Sequence, residues 1–212
     1  MDPLSRFIDG PVGRLDSRWH GPLDGQPVLL LHPHPLFGGT MGSRLVYDLA
    51  AGLAAAGMRV VRFDFRGVGR SAGEHGNGIG EVGDAQAAFD ALAAEARAGR
   101  SDAQPAVVGY SFGGGVATRL ATLRPVTRLV AIGTPPRTLR SALVPIEDAP
   151  QVRAPAHLVV GDHDEHVSVA EARAFAAAFR PAATLTIVAG AGHFLEPSRN
   201  GDVLAAVLAA LA

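Results

Sequence analysis

The feature that most constrains the fold of this chain is the alternation of short, continuously apolar runs with longer segments of helical periodicity. A run that is apolar at every position must be buried on both faces, as in a central strand of a parallel sheet. Strands that alternate with helices predict an α/β fold, in which a mainly parallel central sheet has helices on both faces. The predicted strands span 26–31, 59–63, 105–110, 128–133, 156–160 and 184–188, with weaker edge strands within 7–20. The predicted helices run from Ser43 to Gly57 and then span 81–98, 113–124, 169–179 and 202–211.

Composition narrows the classes of protein to which this chain can belong. A length of 212 residues suits one α/β domain over 1–212, and a formal net charge of −1 gives no basic surface for nucleic acid. The sequence has no cysteine, which removes disulfides and thiolate metal sites, and all 19 of its basic residues are arginine. Without lysine there is no P-loop lysine, Schiff base or Ser–Lys dyad, so an activated serine must depend on histidine.

The first residues and the longest apolar stretches indicate the cellular compartment in which the protein is expected. Asp2 and Arg6 lie within the first six positions, and no apolar segment typical of a signal peptide follows them. The longest apolar stretches, such as 203–212, reach only about half of a membrane span. We therefore expect a cytoplasmic protein that does not enter the membrane.

A glycine-flanked serine lies between the strand at 105–110 and the helix at 113–124. Gly109, Ser111 and Gly113 form a G-x-S-x-G pattern, which in this context is typical of a nucleophile elbow. The tight turn requires little bulk two residues away on each side. The N–H of Phe112 then lies at a helix N-terminus and can donate to an oxyanion. The pattern alone also fits a glycine-rich turn with a solvent-facing serine, but the flanking strand and helix favour the catalytic interpretation.

The loop at 32–41, which reads His-Pro-His-Pro-Leu-Phe-Gly-Gly-Thr-Met, directly follows the first apolar strand. An oxyanion hole beside a nucleophile elbow takes its second N–H from this position. Pro33 and Pro35 have no N–H, so His34 is the best-placed donor and Leu36 the next. The prolines stiffen the loop, and the side chain of His32 is expected to order it. The alternative is a turn-rich surface loop whose histidines are merely polar.

Two carboxylates follow the strand at 156–160. Either Asp162 or Asp164 could hold one tautomer of a catalytic histidine. His163, Asp164 and His166 are also metal-ligand types, but the run is short and we expect no metal there. Solvated loop charge is a further alternative.

His193 lies between a glycine and Phe194, just after the last predicted strand. Ligands of open parallel sheets bind beyond the carboxyl ends of the strands, so this side chain is placed to reach the same site as Ser111. A serine, then an aspartate, then His193 is the chain order of the α/β-hydrolase triad.

Together these segments resemble the α/β-hydrolase superfamily over essentially the whole chain. Residues 64–71, Asp-Phe-Arg-Gly-Val-Gly-Arg-Ser, are similar to its structural D-x-R-G-x-G-x-S loop. The loop at 32–41 resembles the HPHPxxGGTM loop of small bacterial serine hydrolases near the dienelactone hydrolase-like group, although dienelactone hydrolase itself uses a cysteine. In the superfamily the acid follows its strand as G-x-x-D-x-x-V, which selects Asp164 over Asp162. This chain has Leu195 where relatives usually have a second aromatic residue after the histidine.

The resemblance implies a place for a cap domain that this chain does not fill. Many members of the superfamily insert one between the strands that here end at Gly133 and begin near Ala156. This chain has about twenty residues there, interrupted by prolines that include Pro135, Pro136, Pro145 and Pro150. We therefore expect no cap domain and an open site for small or flexible substrates.

The resemblance implies a serine hydrolase that cleaves carboxylic esters, or thioesters, of small molecules through an acyl-enzyme, with no cofactor. Ser111 is the expected nucleophile, His193 the base and Asp164 the acid, while the N–H groups of Phe112 and His34 hold the oxyanion. An amidase, a peptidase or an acyltransferase could use the same triad. A receptor-like hydrolase fold that binds a ligand with little turnover is the alternative from another class.

Overall fold

A computed structural model describes residues 3–99, 103–138, 140–194 and 197–212; Asp2 and Leu195, considered above, lie outside these ranges. The described residues form one sheet of eight strands in the order β1-β2-β4-β3-β5-β6-β7-β8. β1 and β2 pair antiparallel, β2 is antiparallel to β4, and every other pair is parallel. The strands are β1 (Leu4–Gly10), β2 (Gly13–His20), β3 (Pro27–Leu31), β4 (Arg59–Phe63), β5 (Ala106–Tyr110), β6 (Leu129–Ile132), β7 (Ala156–Gly161) and β8 (Thr184–Val188).

Helices follow most of the parallel strands, as the sequence pattern predicts. They are α1 (Arg44–Ala55), α2 (Ile79–Ala98), α3 (Phe112–Leu123), the short α4 (Pro145–Asp148), α5 (Val169–Ala178) and α6 (Asn200–Leu211). The predicted α/β fold is confirmed, and the ends of the predicted elements differ from those of the structure by at most three residues. At the start of α1, Ser43 does not cap the helix with its side chain; its hydroxyl instead accepts a hydrogen bond from the N–H of Thr40.

Two apolar layers sandwich the sheet. Alternate residues of β3, such as Leu29 and Leu31, face a core shared with α2, α3 and α5, whereas Val28 and Leu30 face α1 and α6. Because side chains of a strand alternate between faces, a strand with helices on both sides buries both sets of its side chains. Every residue of β3, β4 and β5 is buried, and the two arginines of β4 are satisfied there by hydrogen bonds.

The segment between β6 and β7 leaves the end of the sheet open. Among its described residues, the helical parts are α4, which has four residues, and a 3₁₀ turn at Ala149–Gln151. No cap domain is built there, as predicted from the prolines. The loops after β3, β5, β7 and β8 therefore meet at an uncovered edge of the sheet.

An ion pair buried beneath the loop at 64–71 fastens it to α2. Arg66 donates from Nε and Nη2 to the two carboxylate oxygens of Asp84 at 3.0 and 2.7 Å, and its backbone N–H also donates to Asp84 at 3.0 Å. The Asp84 side chain is fully buried. A buried carboxylate of this kind is held by charge-assisted hydrogen bonds in fork geometry, and removing either partner leaves a buried charge uncompensated.

Replacing the arginine of this pair tests its contribution. Arg66→Ala should lower the free energy of unfolding by about 3–5 kcal/mol, because Asp84 would remain buried without a counter-ion. Arg124→Ala is the matched control. Arg124 binds Asp90, which lies in α2 as Asp84 does, and donates from Nε and Nη2 at 2.8 Å. The Asp90 side chain, however, is 54% exposed. Loss of Arg124 should cost no more than about 1 kcal/mol. Equal losses for both variants, measured by urea denaturation, would contradict this account.

Candidate active site

The serine of the G-x-S-x-G pattern occupies a strained turn between β5 and α3. Ser111 has φ 54° and ψ −117°, and within the described ranges only two other non-glycine residues, Asn77 and Arg140, have positive φ. Such a conformation costs of the order of 1–3 kcal/mol and persists only where the surrounding structure imposes it. Here the N–H of Ser111 donates to the carbonyl of Ile132 at 2.8 Å, which ties the turn to β6.

The two flanking glycines are required by close backbone contacts. A Cβ at Gly109 would collide with the carbonyl of Gly113, and a Cβ at Gly113 would collide with the carbonyl of Leu31 in β3. The elbow can therefore form only where the first turn of α3 packs directly on the strand ends. These close contacts are the physical reason for the small residues that the sequence pattern requires two positions away from Ser111.

The structure brings Ser111, His193 and Asp164 into one hydrogen-bonded chain. Ser111 Oγ lies 3.0 Å from His193 Nε2, and His193 Nδ1 lies 3.0 Å from both carboxylate oxygens of Asp164. A carboxylate can only accept, so Nδ1 is the nitrogen that donates to Asp164, and in the tautomer protonated there Nε2 is an acceptor for the serine hydroxyl. This tautomer is the one that a general base needs.

Asp164 is fixed as well as buried. Its side chain is 1% exposed, and Oδ1 accepts from the backbone N–H groups of His166 and Val167 at 2.8 Å. Two such donors fix the direction of the carboxylate. Asp162 points elsewhere: its Oδ1 accepts from the N–H of Gly190 at 2.6 Å, which ties the loop after β7 to the loop after β8.

Two contacts that could not be predicted from the sequence hold the backbone of His193 in the loop after β8. The hydroxyl of Tyr110 donates to the carbonyl of His193 at 2.8 Å, and Glu165 Oε2 accepts from the N–H of His193 at 3.0 Å. Burial and the nearby carboxylates raise the pKa of Tyr110, so its hydroxyl stays protonated and remains a donor. The position of Tyr110 directly before the serine was the available signal, but nothing in the sequence identified its partner.

The three residues weighed from sequence as possible metal ligands, His163, Asp164 and His166, form no metal-ligand cluster in the structure. His166 instead places its ring edge-on to that of His193, with 4.6 Å between ring centroids. Within the part of the chain that the structure describes, no three or more His, Cys, Asp or Glu side chains come close enough to hold a metal ion.

The backbone of the loop after β3 lies beside the start of α3. Phe112 is the first residue of that helix, so its N–H has no acceptor within the helix. The imidazole of His34 packs on the Phe112 ring at a centroid distance of 4.6 Å, and its Nδ1 accepts from the N–H of Leu36 at 3.3 Å. The sequence offered the N–H groups of His34 and Leu36 as candidate oxyanion donors. The N–H of Leu36 is already hydrogen-bonded within the loop.

His32 orders this loop from inside the protein. Its ring is fully buried; Nδ1 lies 2.7 Å from the carbonyl of Pro33, and Nε2 accepts from the N–H of Phe65 at 3.0 Å. Burial lowers the pKa of His32 to about 4, so the ring is neutral near pH 7. The neutral ring donates from Nδ1 and accepts at Nε2, and it thereby joins the loop after β3 to the loop after β4. A second tie joins the same loops, because Asp64 Oδ1 accepts from the N–H of Met41 at 2.7 Å.

A second histidine near the elbow was not singled out from the sequence. The ring of His75 lies 5.3 Å from that of His34 and 6.0 Å from that of Phe112. Its Nδ1 is 2.8 Å from the buried carboxylate of Glu81, which also accepts from the N–H groups of Gly76 and Gly78. The loop before α2 thus packs against the loop at 32–41.

Among the helices that the structure describes, none is long and apolar enough to cross a bilayer.

Comparison with known proteins places this geometry in a family. The sequence profile of the alpha/beta hydrolase fold matches residues 26–154. An uncharacterized protein of Rickettsia prowazekii is 36% identical over 169 residues, which cover 76% of this chain and 67% of the relative. An uncharacterized protein of Mycobacterium tuberculosis is 31% identical over 176 residues, which cover 74% of this chain and 60% of the relative. The chain therefore spans less than two thirds of the mycobacterial relative.

Two solved structures match over nearly their full length. An alpha-beta serine hydrolase homologue from Coxiella burnetii is 29% identical, with a TM-score of 0.85 over 100% of this chain and 99% of the other. A serine hydrolase without a lid from Xanthomonas campestris is 27% identical, with a TM-score of 0.83 over 100% of this chain and 94% of the other. The profile match over more than half of the chain and these neighbours support a hydrolase, and the chain belongs to the α/β-hydrolase fold family.

Proposed function

We propose that this protein is a serine hydrolase that cleaves carboxylic esters of small or flexible molecules through an acyl-enzyme. The observation that carries the proposal is the continuous chain from Ser111 Oγ through His193 to Asp164, with 3.0 Å at each step, on a strained elbow. Strain and a buried acid cost stability, and both are expected where a nucleophile must be held in one geometry. The similar proteins from Coxiella and Xanthomonas, a serine hydrolase homologue and a serine hydrolase, support it.

The first half-reaction follows from the placement of these groups. Ser111 Oγ attacks the acyl carbon while His193 Nε2 takes the hydroxyl proton, and Asp164 stabilises the resulting imidazolium. The carbonyl oxygen becomes an oxyanion, which accepts hydrogen bonds from the backbone N–H groups of Phe112 and His34. Collapse of the tetrahedral intermediate breaks the bond to the alcohol, which leaves with the proton from His193.

The second half-reaction regenerates the serine. His193 takes a proton from water, the hydroxide attacks the acyl carbon, and the acid leaves as Ser111 recovers its proton. The uncovered edge of the sheet gives water and substrate direct access, which suits short or flexible esters and requires no opening of a lid. Thioesters fit the same steps, because only the leaving atom differs.

The nucleophile is tested by Ser111→Ala. Loss of a triad serine should lower kcat for a chromogenic short-chain ester by about 10⁶-fold. Alanine retains the positive φ at the elbow, so the variant should keep its circular dichroism spectrum and melt within a few degrees of the parent. A fluorophosphonate probe should label the parent and leave Ser111→Ala unlabelled. Esterase activity retained in the pure, folded variant would exclude the proposed nucleophile.

The assignment of the acid is tested by a pair of matched substitutions. Asp164→Asn should lower kcat by about 10⁴-fold, because the amide favours the wrong histidine tautomer. Asp162→Asn should have a much smaller effect, since Asp162 binds the N–H of Gly190 and does not touch the histidine. Steady-state kinetics of both variants decide the matter, and a larger loss in Asp162→Asn would reverse the assignment.

The second oxyanion donor is tested by comparing two substitutions at one position. Both His34→Ala and His34→Pro remove the imidazole, but only proline removes the N–H. The backbone at His34 has φ −59°, which proline can adopt. His34→Pro should therefore have a kcat about 10²–10³-fold below that of His34→Ala. Thermal melts establish that both variants fold, and similar kcat values would show that this N–H does not hold the oxyanion.

A further inference from the structure

An exposed apolar ledge borders the oxyanion loop. It consists of Leu36 and Phe37, whose exposed fractions are 56% and 63%. The ring of Phe37 contacts that of His34 at a centroid distance of 4.9 Å, and His34 in turn packs on Phe112, the neighbour of the nucleophile. The ledge therefore begins beside the groups proposed to hold the oxyanion, where part of a bound ester must lie. Large apolar side chains left exposed at a site commonly mark a ligand surface.

One guanidinium lies over this ledge. Arg140 Cζ is 5.6 Å from the centroid of the Phe37 ring. Within the described parts of the chain, the Arg140 guanidinium contacts this ring. No carboxylate there lies within 4.0 Å of the guanidinium, and the guanidinium makes no hydrogen bond with these residues. A guanidinium over an aromatic face keeps its N–H donors, which radiate in its own plane, available for an anion. Arg137 of the same segment differs, because its Nη2 pairs with Glu147 at 3.4 Å.

The turn that carries Arg140 is anchored. Arg140 has φ 48°, a conformation that an arginine adopts only where its surroundings impose it. The N–H of Ala142 donates to the carbonyl of Asn77 at 2.9 Å, and the N–H of Leu143 donates to Ser141 Oγ at 3.1 Å. Leu143 is buried in the core beneath. The arginine is thus presented on a fixed turn, next to the loop that supports His34 through His75.

We propose that the ledge and Arg140 form a substrate subsite, and that the preferred esters carry an apolar segment that ends in a carboxylate. This inference rests on the proposed ester hydrolysis and names its substrate class. The apolar segment covers Leu36 and Phe37, while the carboxylate accepts charge-assisted hydrogen bonds from Arg140. Because the ester bond lies at Ser111, the segment belongs to either the acyl or the alcohol part, and each is tested separately.

Two pairs of chromogenic esters provide the test. On the acyl side, mono-4-nitrophenyl suberate is compared with its neutral methyl ester. On the alcohol side, 3-carboxy-4-nitrophenyl acetate is compared with the neutral 3-carboxamide. In the unmodified protein one pair should show a kcat/KM about five- to tenfold higher for the anion, mainly through KM, as expected for a partly exposed charge pair. Raising the salt concentration should reduce this preference.

Matched variants assign the preference to one residue. Arg140→Met keeps an unbranched apolar stem and removes the charged guanidinium, and it should abolish the difference between the two esters. Arg137→Met, which removes a charge from the same segment, should retain that difference. The proposal is overturned if neither pair shows an anion preference, if Arg140→Met keeps the preference, or if Arg137→Met loses it equally. Failure of the proposed function is a separate result, in which the neutral esters are not cleaved either.

Discussion

The rest of the site depends on the close approach of α3 to the ends of β3 and β5. Gly109 and Gly113 have no side chains to hold these backbones apart, so the turn between strand and helix closes with Ser111 at positive φ. The strain of the order of 1–3 kcal/mol is offset by the packing of β5 and its neighbour β3, in which every residue is buried. The same approach places the N–H of Phe112 beside the loop after β3, so one packing contact positions the serine hydroxyl and a backbone donor together.

Buried polar contacts then fix the loops that surround the elbow. Neutral His32 joins the loop after β3 to the loop after β4, and Arg66 fastens the latter to α2 through Asp84. On the other side, Tyr110 and Glu165 hold the backbone of His193. Each contact satisfies a group that would otherwise be buried without a partner, which makes the arrangement rigid. Rigid donors are what electrostatic stabilisation of an oxyanion requires, because no free energy is then spent on reorganising them during the reaction.

The openness of the site and the surface around it have a common origin. With no cap domain between β6 and β7, the short segment there folds down onto the loop before α2 through Ala142 and Asn77. That contact places the guanidinium of Arg140 over the Phe37 ring at the rim of the site. The described part of this rim is built from two short loops, so under the proposed function substrate selection depends on a few exposed side chains.

The sequence by itself determined the alternation of strands and helices, because continuous apolar runs can be satisfied only between two helical layers. It also located Ser111, His193 and the loop at 32–41, since their patterns are local. The residues alone left Asp162 and Asp164 open, and family resemblance was needed to favour Asp164. Only the tertiary structure separated them: the turn after β7 directs one carboxylate to His193 and the other to Gly190. The contacts of Tyr110 with His193, of His75 with His34 and of Arg140 with Phe37 were likewise decided by the fold, because these partners are distant in sequence and carry no shared motif.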